Sequence, residues 1–429
     1  MYKRLDEMCK ELSFDKSVQK MFRHCFLNTL ETTVKRIGDE TFVITGDIPA
    51  MWLRDSSVQV SHYVRFARED ADVRELVAGL IRRQMSYIRT DPYANAFNET
   101  ANGLGFNDIT AHSDWVWERK YELDSLVYPL WLVCRYIEET GLRGVLDSGF
   151  YAALDTICTV VETEQRHAER SEYSFMREHA DHPDSLPNGG RGKECGYTGM
   201  SWCAFRPSDD RCEYNYLIPS NIFAVSVFRK LKKYVSPEYA ERLGRLEKTI
   251  QEGIEKFGTV EHPRYGKIYA YETDGLGHYN LMDDANVPSL LSLPYLEYCD
   301  ADDAIYRNTR RFVLSRDNPY YFEGKDATGV GSPHTPEGYI WHIGLIMQAL
   351  TSRDEEEISR LLHEILATSE EWGCMHESFD ASAPGNFTRA WFAWANTLFA
   401  VLVMENLGRL SQLLLPRSES LLAADSANA

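Results

Sequence analysis

The chain has 429 residues, 44% of them hydrophobic, with a formal net charge of −19 and a pI near 5.1. That length and apolar content allow one very large core or two ordinary ones, and the acidic balance sets a repulsive field against nucleic acid and acidic membrane surfaces, arguing against both as partners. The most apolar windows are broken by Arg, Glu or Asn short of a membrane span, the Met1 to Glu7 stretch has no apolar signal core, and the nine cysteines form no CxxC pair; the expectation is a soluble, cytoplasmic protein with reduced thiols.

In chain order, apolar periodicity predicts helices over 16–36, 55–67, 72–90, 120–140, 146–168, 218–234, 237–256, 285–298, 301–315, 338–351, 354–371 and 387–408. Val73, Leu76, Val77, Leu80, Ile81 and Ile88 show the spacing well. Ser236 followed by Pro237 gives a helix start, and Ser352 with Glu355 forms a candidate capping box. Short strands are expected only at Thr41 to Thr45 and Lys267 to Tyr271.

About twelve helices in an all-α chain suit a toroid of six helical hairpins, because each hairpin buries one face only against its neighbours. No linker composition divides the chain, so 1–415 reads as a single domain and 416–429 as a flexible tail. Long connections near 91–118, 170–217, 257–284 and 316–337 hold much of the Gly, Pro, His and Asp, and ordered loops on a rigid scaffold are where sites are usually carried.

Three constellations stand out. In the run from Asp47 to Ser57, Arg54 and Asp55 set a fork of donors beside a fork of acceptors that vicinal sugar hydroxyls satisfy, and Trp52 offers a platform for a sugar's C–H face; an ordinary cap and ion pair explain the same residues. Asp209 and Asp210 follow Phe205-Arg206-Pro207-Ser208, and two adjacent carboxyls in an aromatic-rich loop keep one proton near neutrality if one is desolvated, although such pairs are also common in turns. Glu377, between His376 and Ser378, has the position of a general base or of a plain surface carboxylate. The clusters around His112, Tyr121, His278 and His334 mix hydrogen-bonding groups with aromatic faces, as carbohydrate subsites and buried networks both do. No HExxH, P-loop, dinucleotide fingerprint or GxSxG elbow is present, and no spacing fits a zinc site.

Together, DIPAMWLRDSSVQV, KYELDSLVYP, FRPSDD with YNYLIPSN, GHYNLMDDANVPSLL, SPHTPEGYIWHIGL, and MHESFD with FTRAWFAWAN resemble glycoside hydrolase family 125 from about residue 15 to 410. The resemblance implies an (α/α)6 barrel and an inverting exo-α-1,6-mannosidase that acts without metal or other cofactor on an α-1,6-mannoside or N-glycan fragment. It also implies an acid in the 208–210 segment, with Asp210 favoured over Asp209, and Glu377 as base. Arg54 and Asp55 then fall at the −1 subsite, joined by Glu122, Asp124, His278 and Asn280, while Trp52 and His334 complete the substrate-binding set. Two other readings are a related (α/α)6 glycosidase acting on α-glucosides and a non-catalytic glycan-binding toroid.

Overall fold

The computed structural model describes residues 1–178, 184–369, 371 and 373–414. The expected tail, 416–429, lies outside the described residues.

Burial separates the longer helices into two sets. Leu53–Ser61 is buried along its whole length, and Leu123–Thr140, Ile218–Leu231, His342–Leu350 and Ala393–Asn406 are buried on most faces. A helix apolar or buried all round belongs to the interior. By contrast, Pro237–Phe257 buries one stripe, made of Leu243, Leu246, Ile250, Gly253 and Ile254. Lys16–Thr32, Ala71–Thr90, Ser148–Glu164, Ala304–Val313 and Glu355–Ser369 likewise bury part of their surface and expose the rest.

The two sets alternate along the chain, except that 304–313 follows 237–257 with no inner helix between them, and they pack as an inner and an outer layer. The 53–61 helix touches the 123–140 and 393–406 helices, the 123–140 helix touches 218–231, and 342–350 touches 393–406. Outer helices back this row: 16–32 on 393–406, 71–90 on 123–140, 237–257 on 218–231 and 355–369 on 342–350. One hydrophobic cluster runs through all of it, from Leu5 to Leu413. The fold is therefore a helix-rich, all-α toroid.

One predicted helix, 285–298, is instead a chain of bends and turns. Its pattern is apolar, but Pro294 has no N–H to give, and Asp283 uses its two carboxylate oxygens to accept from the Leu290 and Leu291 amides at 2.8 and 2.9 Å. Ser289 and Ser292 bond each other's backbone amides, and Glu297 turns left-handed at φ 59°. The segment still occupies the inner layer: the Tyr128 hydroxyl donates to Val287 O, Ser226 Oγ to Leu296 O and the Tyr306 hydroxyl to Leu291 O.

Other differences come from strand pairing. The 16–36 helix stops at Thr32 because Val34–Ile37 pairs with Glu40–Val43, and the 338–351 helix starts at His342 because Tyr339–Trp341 pairs with Ser378–Asp380. The 387–408 helix starts at Ala393, after Ala383–Phe387 has joined the same sheet. The second expected strand occurs as Gly266–Tyr269, but short antiparallel pairs are more numerous than periodicity showed. Tyr2–Glu11 is a helix that the pattern did not reveal. Ser236 does precede a helix with Pro237 in its first turn, whereas the expected capping box is replaced by Asp354, which accepts from the Glu356 amide.

Gly253 faces the 198–200 backbone so closely that an added Cβ would sit 2.6 Å from Thr198 O and 3.1 Å from Met200 N. Gly253→Ala gains helix propensity but forces those segments apart, and a net loss of about 1–3 kcal/mol is expected by urea unfolding. An unchanged or raised midpoint would contradict the close approach.

Candidate active site

A cavity opens where inner helices begin. Arg54 and Asp55 reach it from the first turn of 53–61, Trp341 immediately precedes 342–350, and Phe392 and Trp394 flank the start of 393–406. Helix N-termini carry unpaired amides and partial positive charge, so this end of the toroid suits carboxylates and polar ligands. Three-stranded sheets hold the entering segments: Met51–Trp52 with Ala96–Phe97 and Val116–Glu118, and Tyr339–Trp341 with Ser378–Asp380 and Ala383–Phe387.

Arg54 is 2% exposed and collects four carboxyl groups. Its Nη1 donates to Glu122 Oε2 at 2.7 Å and Asp124 Oδ2 at 3.1 Å, while Asp55 and Asp209 each lie 3.5 Å from its other nitrogens. Its guanidinium also stands 5.5 Å from the Trp394 ring centre. Burial raises the Asp55 carboxyl to about 6 against the pull of Arg54, and it pushes Glu122 well above and Asp124 above the ordinary carboxylate range.

Asp209 stands on a strained tight turn. Phe205 and Arg211 pair across it, Arg206 N donates to Asp210 O, and Asp209 N donates to Arg206 O. That is a three-residue hairpin loop with Pro207 leading and Asp209 left-handed at φ 68°, a place that usually takes glycine. The turn is pinned by the buried Arg206–Glu272 fork at 2.7 and 3.1 Å and by Lys120 Nζ, which donates to Asp209 O at 2.8 Å. The result aims Asp209 at the cavity, with its side chain 29% exposed. Burial acts to raise its pKa, but Arg54 and Lys120 outweigh that and hold it below the usual range. Asp210 points elsewhere: its side chain is 5% exposed, Oδ1 pairs with His334 Nδ1 at 2.9 Å, and it is not among the cavity-lining residues.

Glu377 lines the cavity beside Trp341, whose strand partner is Ser378. Thr388 Oγ1 donates to Glu377 Oε2 at 2.8 Å and Arg389 Nη1 to Oε1 at 3.3 Å, while Arg389 is itself held by Asp47. His334 also lines the cavity; burial disfavours its charge, but Asp210, Asp209 and Glu377 together raise its pKa to about 9.

Of the sequence candidates, Trp52, Arg54, Asp55, Asp209, His334 and Glu377 meet around one cavity. The others serve differently. Glu122 and Asp124 lie behind Arg54 and are fully buried, so they orient it and do not line the cavity. Asn280 donates to Glu272 at 2.9 Å and so supports the anchor of the Asp209 turn. His278 is an exposed partner of Asp274, stacked near Tyr214, and is likewise outside the lining. Sequence reading passed over Lys120, Asn286, Trp341, Arg389 and Phe392, although all but Lys120 line the cavity and all five lie within the quoted motifs.

The family model described as metal-independent alpha-mannosidase (GH125) matches residues 15–404. The chain belongs to glycoside hydrolase family 125. It is 38% identical to the meiotically up-regulated gene 157 protein of Schizosaccharomyces pombe, over 95% of this chain and 86% of that one. A Streptococcus pneumoniae structure, from a study of metal-independent alpha mannosidases and described as a non-productive substrate complex with alpha-1,6-mannobiose, superposes with a TM-score of 0.93 at 44% identity, covering 95% of this chain and 98% of that one. A wild-type glycosidase at 14% identity and TM-score 0.57, covering 91% and 97%, shares the fold. This family 125 member is thus a glycoside hydrolase acting as an α-mannosidase.

In this α-mannosidase Arg54→Met should leave buried carboxyls without their counterion and lower stability by about 3–5 kcal/mol in chemical denaturation, whereas a loss below about 1 kcal/mol would show the cluster to be solvated. His334 gains its proton affinity by folding, so its contribution is complete below its unfolded value of about 6.5 and disappears as pH rises through about 9. With the ring 38% exposed, solvent screens part of it. The Tm difference between wild type and His334→Gln should shrink between pH 6 and pH 9.5; a constant difference would mean that the ring is neutral throughout.

Proposed function

We propose that this enzyme is an exo-α-1,6-mannosidase that removes terminal mannose from an oligosaccharide with inversion of the anomeric centre. The observation that carries this reading is that Asp209 and Glu377 line one cavity together with Arg54, Asp55, Trp52 and His334. Asp209 protonates the departing glycosidic oxygen, and Glu377 takes a proton from the water attacking the opposite face of the sugar. The turn geometry supports Asp209 in place of Asp210, because Asp209 faces the cavity and Asp210 is engaged with His334. Thr388 and Arg389 grip both oxygens of Glu377, which supports a carboxylate ready to accept a proton.

The mannobiose complex of the Streptococcus pneumoniae protein supports the linkage. Asp55, Arg54 and His334 supply acceptors and donors for the hydroxyls of a −1 mannose, and Trp52 an apolar face. Six hairpins in an (α/α)6 barrel are supported by the inner helices together with the 285–298 segment, each backed by an outer helix. The continuous core from Leu5 to Leu413 supports a single catalytic domain, and nine unpaired cysteines support a reducing, cytoplasmic setting.

Product-anomer NMR on α-1,6-mannobiose should show β-mannose first; initial α-mannose would refute inversion, and preference for α-1,4- or α-1,6-glucobiose would refute the substrate. Asp209→Asn, which keeps a residue tolerant of the left-handed turn, and Glu377→Gln should each lower kcat by about 10²–10⁴ with the fold intact by circular dichroism. A fully active Asp209→Asn would return the acid role to Asp210.

A further inference from the structure

The acid must carry a proton, yet Asp209 sits beside Arg54 and Lys120, two cations that favour its ionised form. The environment of Glu122 resolves this. Its Oε2 accepts from Arg54 Nη1 and from Ser125 Oγ, both at 2.7 Å, but its Oε1 is buried and meets no donor among the described residues. Glu122 and Asp209 meet on the one Arg54 guanidinium, Glu122 at Nη1 and Asp209 3.5 Å from Nη2, so the two carboxyls face one another across its edge. Two carboxyls that offer only lone pairs to one another in a buried site repel; one proton between them turns the contact into a short, charge-assisted hydrogen bond.

The charge balance around Arg54 leads to the same arrangement. One buried guanidinium faces Glu122, Asp124, Asp55 and Asp209. Lys120, already paired with Asp184 and Glu118, and His334, paired with Asp210, add positive charge only on the Asp209 side. Three buried carboxyls and the partly exposed Asp209 share that centre, and keeping all four ionised there is costly. Glu122 is the deeper member of its pair, with a side chain 0% exposed against 29% for Asp209.

We propose that Glu122 and Asp209 form a carboxyl dyad that shares one proton, and that this shared proton is the one delivered to the glycosidic oxygen. The inference rests on Asp209 being the acid. Glu122 touches no substrate, so it is a positioning residue that acts through Asp209. As the C1–O bond breaks, its electron pair stays with the leaving oxygen, which takes the dyad proton. The dyad is left doubly ionised beside Arg54, Lys120 and His334, and the water oxygen bonds C1 from the opposite face as Glu377 takes its proton. Solvent then returns one proton to the dyad, and Glu377 releases one. The direction of the individual shifts agrees, with Glu122 raised and Asp209 lowered, as expected when a titration belongs to the pair.

Glu122→Gln tests the dyad because it keeps the size and polarity of the side chain while removing proton sharing. The alkaline limb of kcat/KM on α-1,6-mannobiose should move to lower pH by about one unit or more, since Asp209 then faces an amide and two cations without a like charge to hold its proton. At pH 7 hydrolysis of mannobiose should fall at least about tenfold further than that of 2,4-dinitrophenyl α-mannoside, whose leaving group needs no acid. A folded Glu122→Gln with an unmoved limb, or with equal losses on both substrates, overturns the dyad. The infrared difference between wild type and Glu122→Gln at pH 7 should show the loss of one protonated-carboxyl band, a readout independent of turnover, and a difference spectrum without that loss also overturns the dyad. Asp209→Asn run alongside separates the two ideas: if it hydrolyses mannobiose normally, the acid assignment has failed, whereas an inactive Asp209→Asn with an unmoved Glu122→Gln limb means that only the dyad has.

Discussion

A single buried guanidinium organises the active end of this molecule. Arg54 sits in the first turn of an inner helix and draws in Glu122 and Asp124 from a neighbouring helix start and Asp209 from a distant hairpin. Each carboxyl would be costly to bury alone, and each is held against desolvation by the same cation. The interaction is structural because it fixes where three chain segments meet. It is also chemical, since burial pushes Glu122, Asp124 and Asp55 above the ordinary carboxylate range around that guanidinium.

The toroid makes that cluster rigid. Inner helices are buried almost all round, three of them open onto the cavity at their N-termini, and short sheets clamp the segments that lead into them. A strained residue persists only where its surroundings over-determine it. Asp209 meets that condition: its left-handed backbone is held by the Arg206–Glu272 fork below and by Lys120 at its carbonyl. Asn280 extends the support by bonding Glu272, so a residue that resembles a sugar ligand in sequence contributes to the geometry of the Asp209 turn from behind.

The two sides of the cavity use opposite electrostatic strategies. Around Glu122, full burial and crowded carboxyls favour a retained proton, while Arg54 and Lys120 pull the neighbouring Asp209 toward its ionised form. Around Glu377, Thr388 and Arg389 donate to both oxygens and the His334 ring lines the same cavity. Paired carboxyl groups with divergent surroundings are how one fold supplies an acid and a base at the same pH.

Most of the helix inventory was legible in the chain itself, because an amphipathic helix repeats its apolar side chains at a local period that needs no knowledge of partners. Family-specific motifs around Arg54, Asp209 and Glu377 were legible for the same reason: each is a contiguous run. Tertiary structure decided what depends on partners far away in sequence. The 285–298 segment has helical apolar spacing, yet Asp283, Pro294 and distant hydroxyls take its backbone elsewhere. Adjacent Asp209 and Asp210 are equivalent as letters, and only a left-handed turn pinned by Arg206 and Lys120 sends one to the cavity and the other to His334. Arg54 and Glu122 stand 68 positions apart, and their meeting is a property of the closed toroid, because helix contacts, unlike helix periodicity, are set by packing across the whole core.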